Sequence, residues 1–322
     1  MVTENKYFIF DSPKTVARYI VDIIRYIPVN IYYKLQFACR HPRNVERKKY
    51  YSSVCAIFKN EANYLQEWIE YHKVIGIDHF YLYNNFSADA YQEVLKKYVY
   101  NGEVTLIEWP IKQGQMSAYA DCARRFANET NWIAYIDLDE FIVPNEDVNL
   151  NDILVKFEKK RPVVIAYWRL FGTSGLLSRD TKGLLIEDFY LCWRKYTNIG
   201  KCFFNTAYDY AEDLKENVHM HYRWARWEKQ KLPAVNFYDK IICCGVNRAK
   251  SKQPPVQINH YFTKSYEEYL AKVSRGDAFF ELNPRDEEYF YEHELKCQAT
   301  DYNIRKYMIK LKKIMNEVRR EA

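Results

Sequence analysis

Residues 53–136 alternate short apolar runs with amphipathic stretches. The runs at 53–58, 79–83, 104–109 and 132–136 predict four strands. Between them, residues 62–75, 88–98 and 115–128 repeat apolar side chains every three or four positions, which predicts three helices. Strands separated by helices of this length form right-handed βαβ units. The predicted fold class is therefore α/β, with a doubly wound, mostly parallel sheet in a nucleotide-binding layout.

The N-terminal part is predicted to be helical. Apolar residues at helical spacing between 13 and 27 indicate an amphipathic helix that Pro28 ends. A second amphipathic piece at 31–38 leads into a basic tract at 40–49. We therefore expect a helical prefix over residues 1–50, before a main domain over 51–280.

The pattern after residue 150 is weaker. Residues 163–168 and 184–191 favour strands, whereas 192–255 have no clear period. Further on, three short signals predict helices. Ser265-Tyr-Glu-Glu268 is a capping box for a helix to Arg275, Asn283-Pro284 starts another, and Asp301 caps a basic helix to about Arg320. Residues 281–322 are thus expected to be C-terminal basic helices.

Composition indicates a globular protein and excludes a low-complexity chain, with 48% hydrophobic residues, 28% charged residues, 9 Gly and 10 Pro. The eight cysteines form no paired framework, which predicts reduced thiols in the cytoplasm. No apolar run of membrane-spanning length and no signal-peptide pattern occur, which favours the same compartment. Aromatic residues make up 17%, which fits a sugar-binding surface or a compositionally biased genome.

The net charge of +6 is concentrated near the two ends, at 40–49 and 305–320. An anionic surface is the favoured partner, and nucleic acid is the competing one. We predict salt-sensitive peripheral binding at the cytoplasmic face of the inner membrane through residues 14–49 and 305–320. The alternative is that both helices pack on the main domain.

Three polar clusters follow predicted strands. They are Lys59-Asn60-Glu61, residues 84–89, and Asp137-Leu138-Asp139-Glu140. The carboxyl ends of parallel strands meet at one edge of a sheet, so the clusters are expected to face one crevice. Asp137 and Asp139 could both offer oxygens to one hard divalent cation, which would bind the two phosphates of a nucleotide sugar. The alternative is a solvated turn or a helix cap.

Several ordered motifs strengthen this interpretation. They are Lys59-Asn-Glu-(x)3-Leu65-x-Glu67-Trp68-Ile-x-Tyr71-His72-(x)3-Gly76, Tyr83-Asn-Asn-x-Ser87-x-Asp89, Gln115 through Asp121-Cys122, Ile136-Asp-Leu-Asp-Glu-Phe141, Trp168-x-x-Phe171-Gly-Thr-Ser-Gly175, and His260-Tyr-x-x-Lys264-Ser-x-Glu-Glu268-(x)3-Lys272-x-x-Arg275-Gly276. Together they resemble glycosyltransferase family 92 and related family 2-like enzymes over about residues 53–280. The resemblance implies a GT-A type fold, a UDP-sugar donor, and Mn²⁺ or Mg²⁺.

The resemblance also implies roles for individual residues. The diphosphate-binding metal would be held by Asp137 and Asp139, with a histidine from the C-terminal half, for which His219, His221 and His260 are candidates. Each histidine has a structural role as its alternative. The nucleotide sugar would be bound by Lys59, Asn60, Glu61, Asn85, Ser87, Asp89, Gln115 and Asp121, with Lys264 and Arg275 as a diphosphate clamp or, alternatively, part of a solvated helix face.

The resemblance further implies an inverting displacement, which needs a carboxylate to take the proton of the acceptor hydroxyl. We expect this base among Glu187, Asp188 and Asp180, with Asp209, Glu212 and Asp213 as further candidates. Glu187 is preferred because it leaves the apolar strand Leu184-Leu185-Ile186, and its alternative is an ordinary surface acid.

The sequence thus predicts a hexosyltransferase acting on a glycan or lipid-linked saccharide in surface polysaccharide synthesis, without nucleic acid as a partner. The competing functions are a non-catalytic membrane- or nucleic-acid-binding protein and a nucleotidyltransferase using the same metal site.

Overall fold

The computed structural model describes residues 16–211, 224–242, 253–274 and 285–321. Thirteen strands are found in these ranges. They are β1 (Tyr50–Phe58), β2 (His79–Asn84), β3 (Val104–Glu108), β4 (Thr130–Tyr135), β5 (Glu140–Pro144), β6 (Val163–Leu170), β7 (Leu191–Cys192), β8 (Gly200–Asn205), β9 (Trp224–Trp227), β10 (Gln230–Pro233), β11 (Val235–Asn236), β12 (Val256–His260) and β13 (Ala299–Thr300).

The same ranges contain nine α-helices and a short 3-10 helix at Asn303–Tyr307. The α-helices are α1 (Val16–Cys39), α2 (Ala62–Ile75), α3 (Tyr91–Tyr100), α4 (Gln115–Phe126), α5 (Leu150–Leu154), α6 (Leu185–Asp188), α7 (Tyr266–Ser274), α8 (Glu287–Lys296) and α9 (Met308–Glu321). No helix in the described part of the chain has the length and apolar character needed to cross a bilayer.

One nine-stranded sheet forms the centre of the molecule, in the order β3-β2-β1-β4-β8-β6-β12-β5, with β11 beside β6. Five of its pairings are parallel, and β8 and β5 supply the three antiparallel ones. The predicted α/β class with a mostly parallel sheet is confirmed. Strands β1, β2 and β4 are almost wholly buried, so the strand ends emerge from a rigid core.

The predicted strand-helix alternation is confirmed from β1 to β4, with boundaries moved by up to three residues. Helix α2 has the predicted limits, and Gly76 ends it in the left-handed conformation, with φ of 107°. The capping box before α7 is also confirmed, because Ser265 N–H donates to Glu268 at 2.9 Å. The start predicted at Asn283-Pro284 lies outside the described residues.

The prediction that Pro28 ends the first helix is wrong. Helix α1 continues through Pro28 and includes the piece predicted separately at 31–38. Proline removes one backbone hydrogen bond from a helix interior. Tertiary contacts on both sides of it offset this loss, because Tyr26 and Phe37 are both buried against the domain.

The strand predicted at 184–191 is also wrong. Residues 185–188 form the short helix α6, and only Leu191–Cys192 is extended. The buried carboxylate of Glu67 accepts the backbone N–H of Leu185 and of Ile186, at 2.7 and 3.0 Å. Two donors at the start of the turn are thereby satisfied, which favours a helix over an extended run.

Candidate active site

The acidic cluster is a tight turn between two strands. Asp137 follows the buried strand β4, and Glu140 begins β5. The turn is closed from both sides, since Asp137 N–H donates to the Glu140 carboxylate and Glu140 N–H donates to the Asp137 carbonyl, each at 3.0 Å. The sequence prediction treated these four residues as a loop and missed β5.

Helix α2 fixes the position of β5. The Trp68 indole N–H donates to the Glu140 carbonyl, and the Tyr71 hydroxyl donates to the Ile142 carbonyl, both at 2.8 Å. The Ile142 N–H donates to Nε2 of His72 at 3.2 Å. These buried side chains satisfy backbone hydrogen-bonding groups along the outer edge of β5. The turn before the strand is therefore held in one place.

Three side chains of the described residues contact the Asp137 carboxylate. Gln115 and the Tyr119 hydroxyl donate to Oδ1, at 2.7 and 3.0 Å, and the Lys201 ammonium lies 2.8 Å from Oδ2. Two of these residues belong to α4 and one to β8. The Asp137 side chain is still 32% exposed, so the carboxylate is oriented by the protein and also open to a ligand.

The Asp139 carboxylate is more deeply buried. The Lys272 ammonium, from α7, donates to Oδ2. Nε2 of His260 lies 3.6 Å from Oδ1, and His260 is the residue of β12 that pairs with Glu140. The Trp168 ring lies beside the imidazole, with ring centroids 5.0 Å apart. Antiparallel pairing of β5 with β12 therefore brings the predicted ligands Asp139 and His260 together.

Glu140 and His260 carry polar atoms without hydrogen bonds. Oε1 of Glu140 and Nδ1 of His260 are buried, have no hydrogen-bond partner within the ranges that the structure covers, and lie 3.8 Å apart. The other oxygen of Glu140 is 3.5 Å from the Lys201 ammonium. Buried polar atoms of this kind are uncommon in native proteins and often mark a binding site.

Burial and neighbouring charges have opposing effects on the pKa values of this cluster. Burial alone would raise the pKa of Asp139, but the Lys272 ammonium and the His260 ring hold that pKa well below its usual range. Burial raises the pKa of Glu140 well above its usual range, against the opposing effect of Lys201. Burial also lowers the pKa of His260. Burial therefore disfavours the charged forms of Glu140 and His260, whereas the neighbouring cation favours the ionised form of Asp139.

These groups fit a divalent cation at Asp139 and His260. Two ligands of one ion, each about 2.1 Å from it, are at most about 4.2 Å apart. The separation of 3.6 Å between Oδ1 of Asp139 and Nε2 of His260 is within that limit. Among the described residues, Asp137 does not join them in a group of three ligand atoms within 4.8 Å. The remaining ligands would come from diphosphate and water.

The loops after β1 and β2, both predicted to bind the nucleotide, are joined to each other. Asn60 N–H donates to the Ser87 hydroxyl at 2.9 Å, and Ala62 N–H donates to Asp89 at 2.7 Å. Asn85 ties the second loop to the segment after β3 through the Trp109 carbonyl at 2.8 Å. The predicted convergence of these loops is therefore observed, while their contact with a nucleotide stays a prediction.

Glu61 and Lys264 form a buried ion pair. The Lys264 ammonium lies 3.1 Å from Glu61 and 3.3 Å from the centre of the Tyr64 ring. Both side chains of the pair are 7% exposed or less. The pair joins the start of α2 to the segment before α7, and Lys264 also contributes to the low pKa of Asp139. Two predicted donor-binding residues are thus part of one charged network beside the acidic turn.

Two further predicted residues have different environments. Asp121 accepts a hydrogen bond from the Tyr83 hydroxyl at 2.8 Å and pairs with Arg125 at 3.1 Å. Lys59 is half-buried at the end of β1. Asp121 is on α4, two turns after Gln115, so the helix that contacts Asp137 also carries it.

The three candidate bases have contacts away from the acidic turn. Glu187 pairs with Lys312 of α9 at 2.7 Å, and its expected position at a strand end is wrong because it belongs to α6. Asp188 pairs with Arg179 at 2.9 Å, and exposed Asp180 accepts the Lys182 N–H at 3.0 Å. Their catalytic role stays a prediction. His219, His221 and Arg275, together with Glu212 and Asp213, lie outside the described residues.

Sequence reasoning missed two cations in the cluster. Lys201 interrupts an apolar strand, and a lone lysine in such a run could have indicated a buried ion pair. Its strand approaches β6 closely at Gly200, where a Cβ would lie 1.9 Å from the Ala166 carbonyl oxygen. Lys272 stands in one of the quoted motifs, eight residues after Lys264, but nothing local connects it with Asp139.

Comparisons with known proteins bear on this geometry. The sequence profile of glycosyltransferase family 92 matches residues 48–307. A glycosyltransferase family 92 protein of Oryza sativa subsp. japonica is 33% identical over 158 residues, 48% of this chain and 26% of the relative. The beta-1,4-galactosyltransferase galt-1 of Caenorhabditis elegans is 32% identical over 109 residues, 30% of this chain and 26% of that protein. The matched stretches thus span about a quarter of these curated relatives.

A solved structure of S. aureus TarS residues 1–349 with UDP is also similar, at 13% identity and a TM-score of 0.34, covering 49% of this chain and 47% of that chain. The GT-A type α/β fold that the motifs implied agrees with the mixed, mostly parallel sheet and its acidic turn. Because the profile covers more than half of its residues, this chain belongs to glycosyltransferase family 92.

Proposed function

We propose that the chain transfers a sugar from a UDP-sugar donor to a glycan or lipid-linked saccharide acceptor, with a divalent metal ion. The observation that carries this proposal is the turn at Asp137 and Asp139. It stands at the end of a buried strand, with the polar loops after β1 and β2 beside it and cations on both aspartates. Membership of the family supports the reaction class.

Asp139 and His260 would hold the metal, Mn²⁺ or Mg²⁺. A neutral imidazole and an ionised carboxylate suit either ion. Bound there, the ion would act as a Lewis acid that neutralises charge on the departing diphosphate. The 3.8 Å separation of Glu140 from the second ring nitrogen of His260 supports this role, because a carboxyl group that closes to hydrogen-bond distance behind a ligating histidine would orient the ring.

Of the two lysines paired with the aspartates, one would bind the diphosphate and the other would hold its aspartate. Lys272 lies at the partly open edge of the cluster, with a side chain 21% exposed, whereas Lys201 is 2% exposed. Lys272 is therefore placed to leave Asp139 and contact a phosphate oxygen. Lys201 would remain on Asp137 and hold that carboxylate ionised and oriented, together with Gln115 and Tyr119.

The donor is proposed to be a uridine nucleotide, since the resemblance implies that Asn60, Ser87 and Asp89 would hold the nucleoside, and the contact between their two loops supports one shared pocket. The name of the Caenorhabditis elegans relative supports a hexose, since that protein is a galactosyltransferase. We propose an inverting displacement in surface polysaccharide synthesis. The acceptor proton would go to one of Glu187, Asp188 or Asp180, of which Asp188 is linked through Arg179 to Glu268 beside Lys264.

The test is metal-dependent UDP release from a panel of UDP-sugars. The wild-type protein should release UDP with Mn²⁺, and EDTA should abolish the release. Asp137→Ala should lose about a hundredfold or more, because a carboxylate that would face the divalent ion beside the diphosphate is removed. The matched control is Asp147→Ala, which removes an exposed carboxylate and should keep full activity.

Two outcomes would contradict the proposal. Release of pyrophosphate from UTP and a sugar 1-phosphate, without release of UDP from any UDP-sugar, would assign a nucleotidyltransferase. Failure of the wild-type protein to bind any UDP-sugar, with or without metal, would favour the non-catalytic functions.

A further inference from the structure

Helix α1 has two apolar faces, and only one of them packs on the domain. On the packed face, the Tyr26 hydroxyl donates to the Ile241 carbonyl at 3.0 Å, and Phe37 is buried beneath the Arg161 guanidinium. Tyr33 contacts the Trp224 ring edge to face, with centroids 5.9 Å apart. These contacts fix the rotation of the helix about its own axis, so the direction of the opposite face is also fixed.

The opposite face is a continuous exposed stripe. Its residues follow each other at intervals of three or four positions and are between 50% and 62% exposed: Ile20, Ile24, Ile27, Ile31 and Leu35. At about 100° per residue, these positions lie within an arc of about 80° along more than four turns. We call this set the α1 stripe. Single exposed apolar residues are ordinary, whereas a continuous row of five large ones is typical of a binding surface.

Charge around the α1 stripe identifies the kind of partner. Residues 18–39 contain three Lys or Arg and one Asp, and the tract at 40–49 that follows the helix adds five Lys or Arg and one Glu, for a formal charge of +6 in all. Arg25 and Lys34 are exposed and, from the helical spacing, lie on opposite flanks of the stripe. An apolar row flanked by cations complements an anionic lipid surface, where acyl chains lie below negative headgroups. A second copy would bring two segments of charge +6 together.

The C-terminal basic helix does not offer an equivalent face. Met308, Leu311 and Met315 of α9 are buried, and the helix packs on α2. In the described part of α9, Ile309 is the one large apolar side chain that is exposed. Helix α9 therefore packs on the domain, which was the alternative that the sequence left open for it. The two basic ends are therefore not equivalent.

We propose that the α1 stripe docks the protein on an anionic phospholipid bilayer, with α1 lying in the plane of the interface. Its large apolar side chains would enter the boundary between headgroups and acyl chains, and Arg25 and Lys34 would contact phosphates. The inference does not depend on glycosyl transfer, since it rests on the packing and charge of α1. It assigns membrane binding to residues 20–35 and excludes α9 as an apolar anchor.

The test is flotation of the full chain with vesicles of phosphatidylcholine alone or with about a third phosphatidylglycerol. We expect binding to the anionic vesicles, weakened by high salt. Ile24→Glu combined with Ile31→Glu should reduce partitioning by about tenfold or more, because two carboxylates would enter the apolar boundary. The matched control is Ile309→Glu, an exposed isoleucine on the other basic helix, which should bind like wild type.

If the double variant fails to fold, single tryptophan variants test the same surface. Ile31→Trp should gain quenching by bromine-labelled lipid, whereas Ile309→Trp should not. Absence of binding to anionic vesicles would overturn the proposal, and so would equal binding by wild type and the folded double variant. A dimer that the double variant dissociates, without lipid binding, would assign the α1 stripe to a second copy instead.

Discussion

Removing the ammonium of Lys264 should cost more stability than removing any exposed lysine. The ammonium is 3.1 Å from the Glu61 carboxylate, and both side chains are 7% exposed or less. Lys264→Met would leave the buried Glu61 charge without the ammonium of Lys264 and would remove the contact with the Tyr64 ring. Lys264 also has a left-handed backbone, with φ of 52°, so its conformation is held by these contacts.

The magnitude follows from the geometry. Two unit charges at this separation attract by about 5 kcal/mol at an effective dielectric constant of about 20. Desolvation of both groups opposes part of this attraction, and breaking a buried pair typically costs about 3–5 kcal/mol. We therefore expect Lys264→Met to lose about 3–5 kcal/mol, and Glu61→Gln somewhat less. The double variant should lose about 2 kcal/mol less than the sum of the two.

Urea unfolding followed by circular dichroism measures these free energies, provided that the m-value is unchanged. The control is Lys296→Met, which breaks an exposed pair with Glu292 at 3.8 Å and should cost less than about 1 kcal/mol. If the two single losses at Glu61 and Lys264 add within about 0.5 kcal/mol, the charges are not coupled and the reasoning is wrong.

Three further predictions concern the acidic turn and its support. Lys201→Met should lower UDP release by about tenfold or more with folding retained, because Asp137 loses the ammonium 2.8 Å away; unchanged kcat and KM would contradict this role. His260→Ala should weaken Mn²⁺ binding by about tenfold to a hundredfold in calorimetric titration, and equal affinity would exclude His260 as a ligand. Burial lowers the pKa of His72 to about 3. Between about pH 6.5 and 3, His72 therefore takes up a proton only in the unfolded state, and the free energy of unfolding should fall as the pH drops through that range. His72→Gln should reduce the slope of urea stability against pH by about one proton, about 1.4 kcal/mol per pH unit, and an identical slope would contradict the assignment.

Local sequence patterns were sufficient to predict the βαβ half of the fold and the position of the acidic turn. Hydrophobic periodicity and helix-ending residues such as Gly76 are local signals. They show directly where a regular strand or helix lies and which of its faces is buried. Asp137 and Asp139 could be placed at a sheet edge because strands in parallel order all end there. The convergence of Glu61 with the later part of the chain was only implied by the resemblance.

The pairing of charged side chains in the cluster depends on the tertiary structure. Lys201 and Lys272 are 64 and 133 residues from the aspartates that they contact, and their pairing depends on the register of β8 and on the docking of α7. Long-range contacts also overrode local signals. The buried Glu67 carboxylate made residues 185–188 helical, and packing carried α1 through Pro28. Local preferences are worth about 1–3 kcal/mol, so a few buried contacts between distant segments outweigh them.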